Sequence, residues 1–194
     1  MRPLPFIGWY ALVFWAVFFW AWIPEFGIVN RARRSQTAAD SKSLQVIVIG
    51  QTIISIAAFW LAWRPAFQFP ASWRIPSFVV GVAILVAGSL FRRHCWKMLG
   101  ASFTGDVRVR PGQEVVTRGA YRVLRHPSYT AGILLNVGLG VALGSWVSML
   151  LFTGGATVLY LHRMRVEERA LLAVLGEPYR QFMQSRKRLI PFLY

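Results

Sequence analysis

The chain has 194 residues, 56% of them apolar, with a mean hydropathy of +0.46, and a water-soluble domain of that composition would leave too much hydrocarbon in water. Its formal charge of +15 invites nucleic acid, but there is no RNA-binding signature or basic recognition helix, and the cations fall between apolar runs. Cys95 is the single cysteine, so an intramolecular disulfide is excluded.

Four apolar runs follow in chain order. Residues 5–23 and 44–63 each have the length of about twenty residues that crosses a bilayer core. Arg2 ahead of the first run resembles the start of a signal peptide, yet no small-x-small cleavage site precedes Pro24, so a retained helix is expected. The segment "NRARRSQTAADSKS" between them is expected to be a polar, solvated connector. The third run, 77–96, is apolar only to Phe91, so Arg92 and Arg93 must snorkel or sit at the interface while the helix continues into water. The fourth, 131–161, is long for one span and short for two, with Gly144-Ser145-Trp146 near its middle.

Charge decides between one span and two. Arg and Lys number four in 24–43, two in 64–76, eight in 92–130 and seven in 162–194. Assigning the basic segments to the cytoplasm gives an outside N-terminus, three spans, a tight helical hairpin and an inside C-terminus. The expected fold is all-α: an integral membrane bundle of about five transmembrane helices with a cytoplasmic pocket. It divides into residues 1–91, the first three helices, and 92–194, which carry the chemistry.

The two cytoplasmic pieces, 92–130 and 162–194, flank the hairpin and therefore meet at one end of it. The first holds Gly100, Gly105, Pro111-Gly112 and Gly119 and reads as mostly irregular. The second reads as a helix stopped at Gly176, with a short helix from about Pro178 to near Arg188. Of only seven acidic residues, Glu167 and Glu168 stand together on that helix among Arg163, Arg165 and Arg169. Exposed helix-face ion pairing is one reading of them. The spacing from Arg163 to Glu167 also sets a cation and an anion one turn apart on one face, suited to a zwitterion or to two molecules of opposite charge.

Gly138, Gly140 and Gly144 lack a preceding strand and the third spacing of a dinucleotide fingerprint, so they are expected to pack helices. His94, Cys95, His126 and His162 match no zinc spacing, and no metal is expected. Arg125 is expected either to contact substrate or to pair with an acid such as Glu168.

In order, "LGASFT" (99–104), "EVVTRGAYRVLRHPSY" (114–129), "RMRVEERALLAVLGEPYRQF" (163–182) and "RLIPFLY" (188–194) resemble the isoprenylcysteine carboxyl methyltransferase family. These are integral membrane enzymes that use S-adenosylmethionine, related in layout to phospholipid N-methyltransferases and more distantly to sterol reductases. The resemblance covers residues 92–194; the first 90 match only as hydrophobic helices. It implies cofactor contacts at Gln113, Glu114, Val115, Val116, Tyr121, His126, Pro127, Ser128, Tyr129 and Glu167. It also implies a substrate-holding, catalytic role for Arg163. The cofactor's sulfonium and ammonium favour a carboxylate and aromatic faces, and its carboxylate favours imidazole or backbone donors. Pro127 can open a helix whose first amides suit that carboxylate.

The family's segment often has a longer acidic run where this chain has Val166-Glu167-Glu168. The implied reaction moves a methyl group to a lipophilic acceptor drawn from the bilayer, first of all an isoprenylcysteine carboxylate, leaving S-adenosylhomocysteine. An amine lipid, a small thiol, a nicotinamide-dependent reduction and a non-catalytic membrane subunit are the alternatives. The near absence of ionisable residues from the first three runs disfavours an ion path.

Overall fold

A computed structural model describes residues 2–34, 38–100 and 115–190. Among the described residues six α-helices follow one another: α1 Gly8–Arg34, α2 Ala38–Ala62, α3 Arg74–Leu99, α4 Pro127–Ala142, α5 Trp146–Leu175 and α6 Glu177–Ser185. Three of them are long and apolar enough to cross a membrane, over Gly8–Asn30, Ser43–Ala62 and Ala71–Leu99. Their outward faces carry Trp9, Ile23, Ile53, Ile56, Trp60 and Val79, large apolar side chains that a bilayer would cover. The protein is integral to a membrane.

The hairpin is α4 and α5, turned through Leu143-Gly144-Ser145, where Gly144 takes a φ of +68°. Ser145 caps α5 by accepting from the Ser148 amide at 3.3 Å. The arms are unequal, not uniformly short. With 16 residues, α4 is roughly 24 Å long, whereas the 30 residues of α5 reach about 45 Å. The short arm lies inside the bundle, its Leu135, Asn136 and Leu139 almost wholly buried between α3 and α5. The long arm continues past the apolar layer and carries Arg163 to Arg169 beyond it.

Small residues set the helix spacing. A methyl group on Gly81 of α3 would meet the Ala142 backbone nitrogen at 2.2 Å, and one on Gly138 of α4 would meet the Leu85 nitrogen at 2.6 Å. Gly140 faces Met149 Cα at 2.5 Å in the same sense, so the glycine run of α4 is a packing surface against α3 and α5. Across α2 and α4, Gln51 donates to Asn136 at 2.8 Å, and Asn136 returns a proton to the Gly132 carbonyl, so both amides are bonded within apolar surroundings.

Two sequence expectations need correcting. The first run does not end at Pro24: α1 continues through it to Arg34, and α2 is already helical at Ala38, so most of the expected connector is helix. A proline within a helix leaves the carbonyl four residues earlier without its amide partner. Here that carbonyl, on Trp20, accepts instead from Arg93 Nη2 at 2.6 Å, and the Arg93 guanidinium lies 4.7 Å from the Trp20 ring centre. Nor does Arg92 reach for water. It turns inward to Glu25 on α1, both side chains nearly buried.

At the end of the bundle that holds the hairpin turn, Phe69 donates its amide to the Gly144 carbonyl at 2.9 Å, tying the α2–α3 connection to the turn. The other end gathers the start of α4, the far half of α5, and α6. Gly176, with a φ of +60°, stops α5 as its sequence suggests. The following helix begins one residue before Pro178 and closes at Ser185, a little short of Arg188.

Candidate active site

The segment entering α4 is built by backbone pairing across the chain. Arg125 and His126 donate their amides to the carbonyls of Lys187 and Arg188, at 2.8 and 3.1 Å, so residues 187–189 lie as a short parallel strap beside residues 124–126. Thr130 Oγ1 adds a 2.7 Å bond to the Leu189 carbonyl. Pro127 occupies the first turn of α4, where a missing amide costs nothing. Upstream, Arg118 bonds the Met98 carbonyl at the end of α3, which folds the 115–122 segment back onto that helix. Val115 and Val116 lie half-buried on this approach, and Tyr121 is buried in its single 3-10 turn. Gln113 and Glu114 fall outside the described residues.

The adjacent carboxylates of α5 have different surroundings. Glu168 is buried and meets three cationic or proton-donating groups: Arg188 Nη2 at 2.8 Å, His126 Nε2 at 3.1 Å and Arg125 Nη1 at 3.2 Å. Burial pushes its pKa up, but hydrogen bonds from His126 and Arg188 and the charges of His126 and Arg125 outweigh that, leaving it at about 2. An ionised carboxylate only accepts, so His126 carries its proton on Nε2. Arg125 thus pairs with Glu168, the acid named for it in the sequence. His126, 4% exposed, presents its Nε2 to Glu168, so the imidazole braces the segment.

Glu167 is half-exposed, and its hydrogen bond comes from a neutral phenol, the Tyr129 hydroxyl at 2.9 Å. Arg163 lies close enough to that hydroxyl to act on it electrostatically, so the phenol stands between the cation and anion that the sequence sets one helical turn apart. Arg163 is buried and donates through Nη1 to Ser43 Oγ of α2 at 2.7 Å. Tyr121 lies near enough to Glu167 to feel its charge, as Tyr179 of α6 does to Glu167 and Glu168. Burial raises both phenols above their ordinary range, with Glu167 adding to it, so they present neutral aromatic faces. Ser128 gives its carbonyl to Arg92 Nη1 at 2.6 Å.

One carboxylate, Glu167, and the rings of Tyr121, Tyr129 and Tyr179 therefore converge where α4, α5 and α6 meet. That donor set suits a sulfonium or ammonium group. Glu168 is already saturated and holds the walls together. Arg92 and Glu25 escaped the sequence reading because their signal, an arginine and a glutamate at the ends of apolar runs, is also that of interfacial snorkelling.

The Glu168 cluster predicts a pH dependence. A carboxyl whose folded pKa lies below its ordinary value of 4.5 stabilises the fold above that pH and loses the contribution as pH falls toward 2. Thermal unfolding in detergent is expected to show a melting temperature that drops between pH 5 and 2.5. Glu168→Gln is expected to melt lower at neutral pH and to lose most of that slope; an unchanged slope would assign it to other carboxylates.

Residues 80–173 match the isoprenylcysteine carboxyl methyltransferase (ICMT) family. The chain is 28% identical over 123 residues to protein-S-isoprenylcysteine O-methyltransferase B of Arabidopsis thaliana, covering 62% of this chain and 61% of that protein. It is 28% identical over 144 residues to the protein-S-isoprenylcysteine O-methyltransferase of Dictyostelium discoideum, covering 73% of this chain and 60% of that one. The chain thus spans about three fifths of the length of these relatives. A solved structure of the eukaryotic intramembrane Ras methyltransferase ICMT superposes with a TM-score of 0.65 at 24% identity, over 74% of this chain and 52% of that one, which shows a common fold.

Proposed function

We propose, from a chain whose residues 80–173 match the isoprenylcysteine carboxyl methyltransferase family, that the protein is a membrane methyltransferase acting on a lipophilic carboxylate. Its donor is S-adenosylmethionine, and the acceptor closest to the family's chemistry is an isoprenylcysteine-like carboxylate. The observation that carries this reading is the Arg163–Tyr129–Glu167 cluster: one cation and one anion, one turn apart on α5, with a phenol from α4 beside the cation and hydrogen-bonded to the anion.

When bound, S-adenosylmethionine supplies a methyl group on a sulfonium, and the carbon–sulfur bond breaks as a carbon–oxygen bond to the acceptor forms. The protein's residues do the rest. A carboxylate acceptor is ionised at neutral pH and needs no base, in keeping with a site whose His126 is already occupied by Glu168. Arg163 orients the acceptor through its planar fork. Glu167 attracts the donor's cationic groups, with Tyr121 and Tyr129 offering ring faces. The strap of residues 187–189 and α6 screen the site from water. Pro127, Ser128, Val115 and Val116, with Gln113 and Glu114, complete the proposed donor pocket. We assign the site and the C-terminus to the cytoplasm and the N-terminus to the outside, from the distribution of Arg and Lys.

Titration calorimetry on detergent-purified protein with S-adenosylhomocysteine and, separately, NADPH tests the reading. Binding of the former alone is the expected result. Binding of NADPH alone would make the site that of a reductase, and binding of neither would leave a scaffold without this chemistry.

A further inference from the structure

The neighbouring arginines of α3 both reach α1, and they do so on either side of its proline. Arg93 supplies the hydrogen bond that Pro24 removes from the Trp20 carbonyl. Arg92 pairs through both Nε and Nη2 with the two carboxylate oxygens of Glu25, the residue after Pro24. A two-pronged guanidinium–carboxylate contact fixes orientation as well as distance. The same Arg92 guanidinium then points its Nη1 at the Ser128 carbonyl, 2.6 Å away, and lies 5.2 Å from the centre of the Trp96 ring. Three helices thus meet on one planar cation: α1 through Glu25, α3 through Arg92 itself, and α4 through its first turn.

Ser128 is adjacent to Tyr129, whose hydroxyl donates to Glu167 and lies close to Arg163. A shift of the Ser128 carbonyl would move the phenol that stands between the two charges.

We propose that the Glu25–Arg92 pair is a positioning clamp: it fixes the first turn of α4, and through it the Tyr129 phenol, from a residue on α1 that lies outside the matched stretch 80–173. The importance attached to Tyr129 rests on the methyltransferase reading; the clamp's hold on α4 does not. The electrostatic reasoning is direct. Arg92 remains charged, and removing its counter-charge from a nearly buried site leaves a cation that must find another acceptor or draw in water. Either movement releases the Ser128 carbonyl. The pair therefore does more than join α1 to α3, since a simple helix–helix tie would leave the α4 turn unchanged.

The test uses the full chain in detergent, with two readouts. The first is backbone hydrogen exchange of residues 126–131, compared with the hairpin-turn region 139–149. The second is affinity for S-adenosylhomocysteine. In Glu25→Gln, exchange at 126–131 is expected to rise at least tenfold while 139–149 is unchanged, and affinity is expected to fall about tenfold, the scale of one lost charge-assisted contact. Glu25→Asp, which retains the charge, is expected to recover most of both. Wild-type exchange and affinity in folded Glu25→Gln would overturn the proposal, and so would an equal rise of exchange in both regions, the mark of general loosening. If Glu25→Gln does not fold, the neutral pair Glu25→Gln with Arg92→Gln takes its place. Raised exchange confined to 126–131 then supports the clamp, and wild-type protection there overturns it. Wild-type protein that fails to bind S-adenosylhomocysteine would sink the methyltransferase reading instead, while the exchange arm still decides the clamp.

Discussion

Glu167→Gln is expected to lower affinity for S-adenosylhomocysteine by about tenfold to a hundredfold while leaving the fold intact. The substitution keeps size and hydrogen-bonding capacity and removes one charge. A charge-assisted contact is worth on the order of 1.5–3 kcal/mol, which converts to that range of affinity. The fold should survive because Glu167 is half-exposed and its partner, the Tyr129 hydroxyl, can donate equally well to an amide oxygen. The neighbouring position provides the contrast. Glu168→Gln leaves Arg125 and Arg188 facing a neutral amide in a buried site, so it should weaken the fold before it weakens binding. Calorimetry and thermal unfolding on the two variants side by side separate these roles. Unchanged affinity in folded Glu167→Gln would leave that residue as no more than the acceptor of the Tyr129 hydroxyl.

The difference between those two carboxylates was beyond the reach of the sequence. Both follow Val166, and both stand within a turn of several arginines. Their fates depend on a register that only the folded hairpin defines, with His126 entering from α4 and Arg188 from the strap. The hairpin itself was legible, because Gly144 sits at its turn and the charge balance on either side needs an even number of crossings. So was the convergence of the two basic pieces at one end. The course of α1 was not. Pro24 ordinarily marks a helix boundary, and the bond that satisfies the Trp20 carbonyl it leaves open comes from Arg93, 73 residues on from Trp20. The same non-local effect hid Glu25 and Arg92. An ion pair between two helix ends cannot be inferred from either end alone, whereas the i to i+4 relation of Arg163 and Glu167 is fixed by helix geometry. What that relation omitted was the intervening phenol, because Tyr129 belongs to another helix.

Arg163→Lys is expected to leave S-adenosylhomocysteine affinity within about threefold of wild type while reducing methyl transfer to a carboxylate acceptor by tenfold or more. The guanidinium is buried, donating to Ser43 of α2 and lying close to the Tyr129 phenol of α4, so groups from two other helices surround it. A lysine keeps the charge and has three donors, but they lie on one nitrogen and cannot span the same separation. An acceptor carboxylate held by a single point can rotate, and an in-line displacement suffers more from a rotated oxygen than binding does. The donor side should be insulated, because the Tyr129 bond to Glu167 does not depend on the shape of the cation at 163. Ser43→Ala provides the control for the tie to α2. It removes one acceptor from Arg163 and retains the fork, so a loss of transfer in Arg163→Lys that Ser43→Ala does not reproduce belongs to the acceptor contact. Cofactor affinity and transfer rate must be read on the same purified protein. If both fall together in Arg163→Lys, the residue serves the donor pocket or the packing of α2 on α5; if neither falls, it does not hold the acceptor.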